Sequence, residues 1–432
     1  MNTVAPEEVG FSASRLSRID TWMQGYIDQN KLAGTIVMVA RCGKVAYLER
    51  FGMMDLEAAK PMQFDTIFRI YSMTKPVVSV ALMMLFEEGQ FQLDDHVSKF
   101  IPGFADVKVL AGAAKEGADN RHPADDENPF QLTELEREIT IRHLLMHTAG
   151  LTYDFFDDSP VDAMYRETEI LSPLGILQVP LREMIQRLVK LPLTHQPGTA
   201  WRYSMATDVL GYLIEVLSGM SLDVFLEEKI FKPLGMEDTG FYVPEAKLDR
   251  FAAMYGPTEN GGVEILDAPA TSPYSKPTRC LSGGAGLVST ASDYARFAQM
   301  LLDRGEVDGA ARLSVRLSAH AEVTPKPRLL GRKTIELMTA NHLPDALIPI
   351  QVQPHILHGC GFGLGFRVLV NATRAGVLAS EGEFGWGGAA STSFFVDPKE
   401  KFFGLLLTQL MPSRYYPIRN EFRVLVYQAL VD

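Results

Sequence analysis

Ile70-Tyr71-Ser72-Met73-Thr74-Lys75-Pro76, followed by the apolar run Val77 to Phe86, is the segment to which the rest of the chain can be related. Ser72 and Lys75 stand three residues apart. With a helix starting at or just after Ser72, positions i and i+3 share one face, and the amine reaches the hydroxyl. Val77, Val78, Val80, Ala81, Leu82, Met83, Met84, Leu85 and Phe86 leave that helix apolar nearly all round, which predicts burial. Burial has a chemical consequence. A serine hydroxyl is a weak nucleophile until a base takes its proton, and a lysine amine is such a base only when uncharged, the form that desolvation favours. A buried helix start also aims backbone N–H groups at whatever reacts there. A capping serine with a solvated first-turn lysine fits the same pattern. Against it stands the cost of placing a lysine at the head of an all-apolar helix.

Composition narrows the classes of function. The chain has 432 residues, 47% hydrophobic and 22% charged, the balance of a globular protein whose core needs no staples. A net charge of -12 with no basic block argues against nucleic acid or an anionic membrane as partner. Cys42, Cys280 and Cys360 form no Cys-x-x-Cys pair, so neither a disulfide framework nor a zinc site is expected. Met1 to Gly10 is polar and acidic, unlike a secretory leader, and the longest apolar run is too short to span a bilayer. The expected location is the cytoplasm, with no stable membrane association.

Ser12 to Gln29 carries apolar residues at helical spacing, and Thr35 to Ala40 and Val45 to Arg50 read as a hairpin turning at Arg41-Cys42-Gly43-Lys44. Helices are expected over Thr140 to His147, Leu181 to Lys190, Thr207 to Leu217, Leu222 to Ile230 and Ser292 to Asp303, the last capped by Ser292. Segments 111–136 and 153–173 lack a period and read as loop insertions, the second suited to a lid or pocket wall. In the tail, Gly363 to Val370, Ser391 to Val396 and Phe402 to Leu407 read as strands and Ile418 to Leu430 as a closing helix. The economical assembly is α/β plus α. A discontinuous α/β lobe from 1–95 and 330–432 holds an antiparallel sheet covered by the N- and C-terminal helices, and a mainly helical lobe, 96–329, is inserted in it.

Two further stretches carry chemistry. In Gln196-Pro197-Gly198-Thr199-Ala200-Trp201-Arg202-Tyr203-Ser204 a turn presents a phenol just ahead of a helix. A phenol beside an ammonium gives up its proton more readily, so Tyr203 is a candidate proton acceptor; packing between lobes is the alternative. In Glu383-Phe384-Gly385-Trp386-Gly387-Gly388-Ala389 glycines bracket a tryptophan, which suggests an edge strand closely approached by another molecule, or else a bulge around a core tryptophan. Acyl transfer needs two N–H donors at the developing oxyanion, and Ser72 and Ala389 are the candidates. Gly-x-Ser-x-Gly, Walker A and His-Glu-x-x-His motifs are absent.

Together these stretches resemble the serine β-lactamase and penicillin-recognising superfamily, above all class C β-lactamases and the family VIII carboxylesterases. Ser72-Met73-Thr74-Lys75 is similar to the Ser-x-x-Lys element and Tyr203-Ser204-Met205 to the tyrosine element. Leu144 to Leu151 and Gly283 to Thr290 resemble landmarks with structural roles. The resemblance implies a β-lactamase-like fold and a serine hydrolase that cleaves small short-acyl carboxylic esters through an acyl-enzyme on Ser72. Lys75 and Tyr203 would be the activating pair, and Ser72 and Ala389 N–H groups the oxyanion hole. Trp386, Gly387, Gly388 and Tyr153 would line the substrate. Which of Lys75 and Tyr203 is the primary base stays open, because strongly coupled groups titrate as a pair. No metal or organic cofactor is implied. Trp386-Gly387-Gly388 stands where β-lactamases carry Lys-Thr-Gly, and Met205 where they carry Asn. Neither Trp nor Gly replaces the cation that holds a β-lactam carboxylate, so an apolar wall for neutral esters is expected. Cephalosporin hydrolysis, acyl transfer to another nucleophile and a catalytically silent penicillin-binding-like module are the alternatives.

Overall fold

The computed structural model describes residues 3–111, 131–156, 158–307, 327–352 and 354–432, and its centre is an antiparallel sheet of eight strands drawn from both ends of the chain. β1 (Gly34–Arg41), β2 (Lys44–Asp55) and β3 (Lys60–Pro61) come from the N-terminal part. β4 (Cys360–Phe362), β5 (Arg367–Leu369), β6 (Phe384–Gly387), β7 (Ser393–Asp397) and β8 (Phe402–Thr408) come from the C-terminal part. Their order across the sheet is β4-β5-β6-β7-β8-β1-β2-β3. The seam is the pairing of β1 with β8, from Thr35 opposite Thr408 to Arg41 opposite Phe402. Every other neighbour in the sheet is also a neighbour in sequence, so this one long-range contact closes it.

Five helices position the site: α1 (Arg18–Asp28), α2 (Thr74–Glu87), α3 (Ala206–Ser218), α4 (Ala291–Leu302) and α5 (Ile418–Tyr427). Every residue of β1 and β8 is buried, because both faces of the sheet are covered. Successive side chains point to opposite faces. Val37, Val39, Phe395, Phe402 and Leu406 pack with Ile19 and Met23 of α1 and with Ile418, Phe422 and Val426 of α5. Ile36, Met38, Phe394, Val396, Leu405 and Leu407 join the larger core that holds α2, α3 and α4. Burying one such aliphatic or aromatic side chain contributes roughly 1.5–3 kcal/mol, so both layers are needed to hold the sheet. α2 lies within the larger core, with Thr74 to Met83 and Leu85 all buried.

Several expectations are corrected. Gly363 to Val370 is not one strand: β4 ends at Phe362, the chain turns, and β5 begins at Arg367. Gly365 sits in that turn at φ +95°, and a Cβ there would lie 2.2 Å from Ser79 Oγ, so the alternating glycines mark a turn pressed onto α2. β6 is not an edge strand, since it pairs with both β5 and β7; only its end, Trp386-Gly387, runs past β5. Segment 153–173 contains a helix, Pro160–Glu167, whose Ser159 cap and N1 proline were legible signals. α4 is capped by Thr290, which accepts from Asp293 N–H, rather than by Ser292. The helix expected over 222–230 ends as an α-helix at Leu226 and continues as a π-turn over Glu227–Phe231. Most of the loop expected at 111–136 lies outside the described residues. Among the described residues no single helix is long and apolar enough to cross a membrane.

Candidate active site

Ser72 lies in a single 3-10 turn, Tyr71–Met73, that runs directly into α2. It is half-buried between fully buried neighbours, and it is not the cap of α2, whose N-cap is Met73. The residue before it, Tyr71, has φ +44°. A left-handed conformation costs a bulky residue on the order of 1–3 kcal/mol and persists only where the surroundings impose it. Here the ring packs on Tyr274 at 6.4 Å and its hydroxyl donates to Met254 Sδ at 3.3 Å.

Two groups converge on the Ser72 hydroxyl, and a third supports one of them. Tyr203 Oη lies 2.6 Å from Ser72 Oγ, in a hydrogen bond between the two hydroxyls. Lys75 Nζ lies 3.5 Å from the same oxygen and 4.5 Å from the centre of the Tyr203 ring. The Trp386 indole N–H donates to Tyr203 Oη at 3.3 Å, so the phenol oxygen has a donor aimed at any negative charge it acquires. Tyr203 is set in an aromatic nest of His147 at 5.0 Å, Tyr153 at 5.3 Å and Trp386 at 5.3 Å between ring centres. His147 is fully enclosed, and burial, then the charge of Lys75, hold it well below its usual range, so it packs as a neutral ring.

Lys75 is buried and makes no ion pair among the described residues. Its ammonium donates to Tyr153 Oη at 2.8 Å and to the Gly284 carbonyl at 2.9 Å. Tyr153, expected to line the substrate, therefore touches the lysine. Burial, then the neighbouring Tyr203 and Asp208, hold its phenol well above the usual tyrosine range, so it stays protonated. Asp208 was missed from sequence. Its buried carboxylate, in the first turn of α3, accepts from Ser282 Oγ at 2.6 Å and from Gly284 N–H at 3.0 Å. It thereby fixes the loop whose carbonyl holds Lys75. The available signal was an aspartate at the start of the mostly apolar Ala206 to Leu217 stretch, five residues after Tyr203.

On the other side of Ser72 the turn after β6 closes against Ile70. A Cβ on Gly388 would lie 2.4 Å from the Ile70 carbonyl oxygen, so only glycine allows that approach. Ala389 follows, packed with Tyr71 and Ala390 in one small cluster. Neither Ser72 N–H nor Ala389 N–H donates to any acceptor among the described residues. Two unclaimed donors beside a hydroxyl, an amine and a phenol form a setting for acyl transfer. Among the described residues no group of three or more His, Cys, Asp or Glu is placed to hold a metal.

Known proteins share this arrangement's overall fold. An uncharacterised protein of Mycobacterium tuberculosis, MT1414, is 34% identical over 397 residues, covering 89% of this chain and 88% of that one. Esterase EstB of Burkholderia gladioli is 29% identical over 411 residues, covering 92% of this chain and 91% of EstB. The solved structure of EstCE1, described as a hydrolase with promiscuous acyltransferase activity, superposes with a TM-score of 0.75 at 26% identity, over 97% of this chain and 99% of that one. A sequence model of the β-lactamase family matches residues 19–428, nearly the whole chain, and the chain belongs to that family.

Proposed function

We propose that this chain is a serine ester hydrolase that cleaves short-acyl carboxylic esters through an acyl-enzyme on Ser72. The observation that carries this reading is the convergence of Tyr203 Oη at 2.6 Å and Lys75 Nζ at 3.5 Å on one half-buried hydroxyl. The similarity to EstB supports it. Ser72 Oγ attacks the ester carbonyl as its proton passes to the Tyr203–Lys75 pair. The N–H groups of Ser72 and Ala389 receive the oxyanion. The same pair then protonates the departing alcohol, leaving the acyl group on Ser72. A water molecule, deprotonated by Tyr203–Lys75, attacks that acyl group, and the proton returns to Ser72 as the acid departs. Trp386 serves twice, as an apolar wall and as a donor to the phenol oxygen. Tyr153 holds Lys75 in place.

Intact mass spectrometry after brief exposure to p-nitrophenyl butyrate tests this. The expected result is one added butyryl group, mapped to the peptide containing Ser72 and absent from Ser72→Ala. An unlabelled protein that still hydrolyses the ester, or a label on another residue, overturns it. A second reading, acyl transfer to an alcohol, is favoured by the similarity to EstCE1. It predicts that added alcohols divert the same acyl group into a new ester.

A further inference from the structure

The loop that carries Tyr153 leaves a phenyl ring in water. Phe155 is 58% exposed, more than any other large apolar side chain among the described residues, while its neighbours Tyr153 and Phe156 are buried. A phenyl group that far out forgoes much of its hydrophobic stabilisation. The ring is nevertheless held. It lies nearly parallel to the Tyr153 ring, 4.6 Å between centres and 20° between planes, and meets Phe156 edge-on at 4.8 Å. Arg166 Nη1, from the helix Pro160–Glu167, donates to the carbonyls of Asp154 at 2.8 Å and Phe156 at 3.0 Å, so the backbone is tied down on both sides of Phe155. Arg202, next to Tyr203, pairs with Asp158 at 2.5 Å and Asp162 at 2.9 Å and lies over the Phe156 ring at 5.2 Å. The loop is thereby fixed to the turn that presents Tyr203.

From the surface inward the order is Phe155, Tyr153, Lys75, Ser72. The Lys75 ammonium donates to Tyr153 Oη at 2.8 Å, and Lys75 Nζ lies 3.5 Å from Ser72 Oγ. Tyr153 is thus a layer between the amine and the surface, and Phe155 covers one face of it. Burial first, then Tyr203, Asp208 of α3 and Asp154 of its own loop, hold the Tyr153 phenol protonated. Lys75 of α2 acts the other way, because a neighbouring cation favours the phenolate. Water admitted at the covered face would weaken the largest of the restraints. An ionised Tyr153 would pair with the Lys75 ammonium and keep it charged, and a lysine kept charged takes no proton from Ser72.

We propose that Phe155 is a positioning residue that acts through Tyr153: its ring closes the Tyr153–Lys75 contact to water and so keeps Lys75 available to Ser72. This rests on the ester-hydrolase reading and adds a residue to it. It also accounts for an exposed phenyl group on a clamped loop. The outward face is left open because the inward face is the one in use.

Two readouts on the full chain test this. In a titration followed by tyrosinate absorbance, Phe155→Ala is expected to ionise one more tyrosine at about pH 10 than the natural chain, and the double variant Tyr153→Phe, Phe155→Ala is expected to lose that step. With p-nitrophenyl acetate, Phe155→Ala should lower kcat about fivefold and leave KM within about twofold, while in the Tyr153→Phe background the same change should lower kcat no further. Phe155→Trp, which keeps a flat ring on Tyr153, should restore the natural kcat and titration. An unchanged titration in Phe155→Ala, or a loss of kcat that persists without the Tyr153 hydroxyl, overturns the proposal and leaves the ester-hydrolase reading standing. So does a rise in KM alone, which would make Phe155 a substrate contact. A natural chain that turns over no ester and takes up no acyl group on Ser72 overturns the ester-hydrolase reading, and the part of Phe155 in catalysis falls with it.

Discussion

At the scale of single residues, the proposed mechanism makes the site a set of coupled proton positions rather than independent parts. Ser72, Lys75 and Tyr203 lie within 3.5 Å of one oxygen. Removing any one leaves the other two without a task, so single losses should be nearly as large as combined ones. Ser72→Ala, Lys75→Ala and Tyr203→Phe should each lower kcat for p-nitrophenyl butyrate by orders of magnitude, and the double Lys75→Ala, Tyr203→Phe should fall little further. Losses that multiply in the double variant would show two independent contributions and sink the paired-base scheme. Tyr153→Phe is a milder case. It removes one of the two strong acceptors of the Lys75 ammonium and leaves the Gly284 carbonyl. About a tenfold fall in kcat with little change in KM is expected, from the loss of about one charge-assisted hydrogen bond. A change in KM alone would return Tyr153 to the substrate wall.

These three residues were legible because their chemistry demands particular residue types, and one pair has a fixed local spacing. Asp208 and Gly284 were not. Their roles arise from contacts between segments far apart in sequence, and an aspartate inside a helix has many ordinary explanations. Tyr153 was legible as a member of the site but not as a partner of Lys75, because that depends on which way its ring points.

At the scale of elements, Tyr203 is held by two short segments that carry buried or half-buried histidines: the helix Ile141–Leu145 with its exit, and the turn 195–204. Burial pushes His143 and His195 each down to about 4 from the ordinary histidine value of 6.5. Above pH 6.5 both states of the chain keep these rings neutral. As pH falls from 6.5 toward 4 the unfolded chain takes up protons that the folded chain refuses, so stability present above 6.5 is lost through this window. The loss is at most about 3 kcal/mol per ring. Melting temperature should therefore fall between pH 6.5 and 4 more steeply for the natural chain than for His143→Gln, His195→Gln. Parallel curves would show that other groups govern acid lability. Of the elements, the hairpin of β1 and β2 and α2 were readable from period and composition. The turn that takes up the first half of 363–370, ahead of β5, was not, because a tight glycine turn pressed on a helix leaves the same letters as a glycine-bearing strand.

At the scale of the whole molecule, the two ends of the chain complete one sheet, and this makes the last helix a structural necessity. α5 supplies Ile418, Phe422 and Val426 to the layer that covers β1, β7 and β8. Tyr427 adds its ring, stacked on Phe395 at 6.0 Å, and a hydroxyl that donates to Asp397 at 2.6 Å. Burial of these four side chains contributes on the order of 10 kcal/mol, comparable with the net stability of a whole domain. Arg423 adds a second cation for the buried Glu383, whose carboxyl the two guanidiniums hold below the usual range against the opposing effect of burial. Without it that carboxylate would keep Arg367 alone. A chain ending at Tyr416 should therefore fail to give a cooperative melt and should accumulate as aggregate, while a chain lacking only Val431 and Asp432, both exposed, should melt within a few degrees of the full protein. Circular dichroism melts and size-exclusion profiles of the two truncations distinguish these outcomes. A cooperative, monodisperse chain ending at Tyr416 would mean that the sheet's outer face is held by α1 alone.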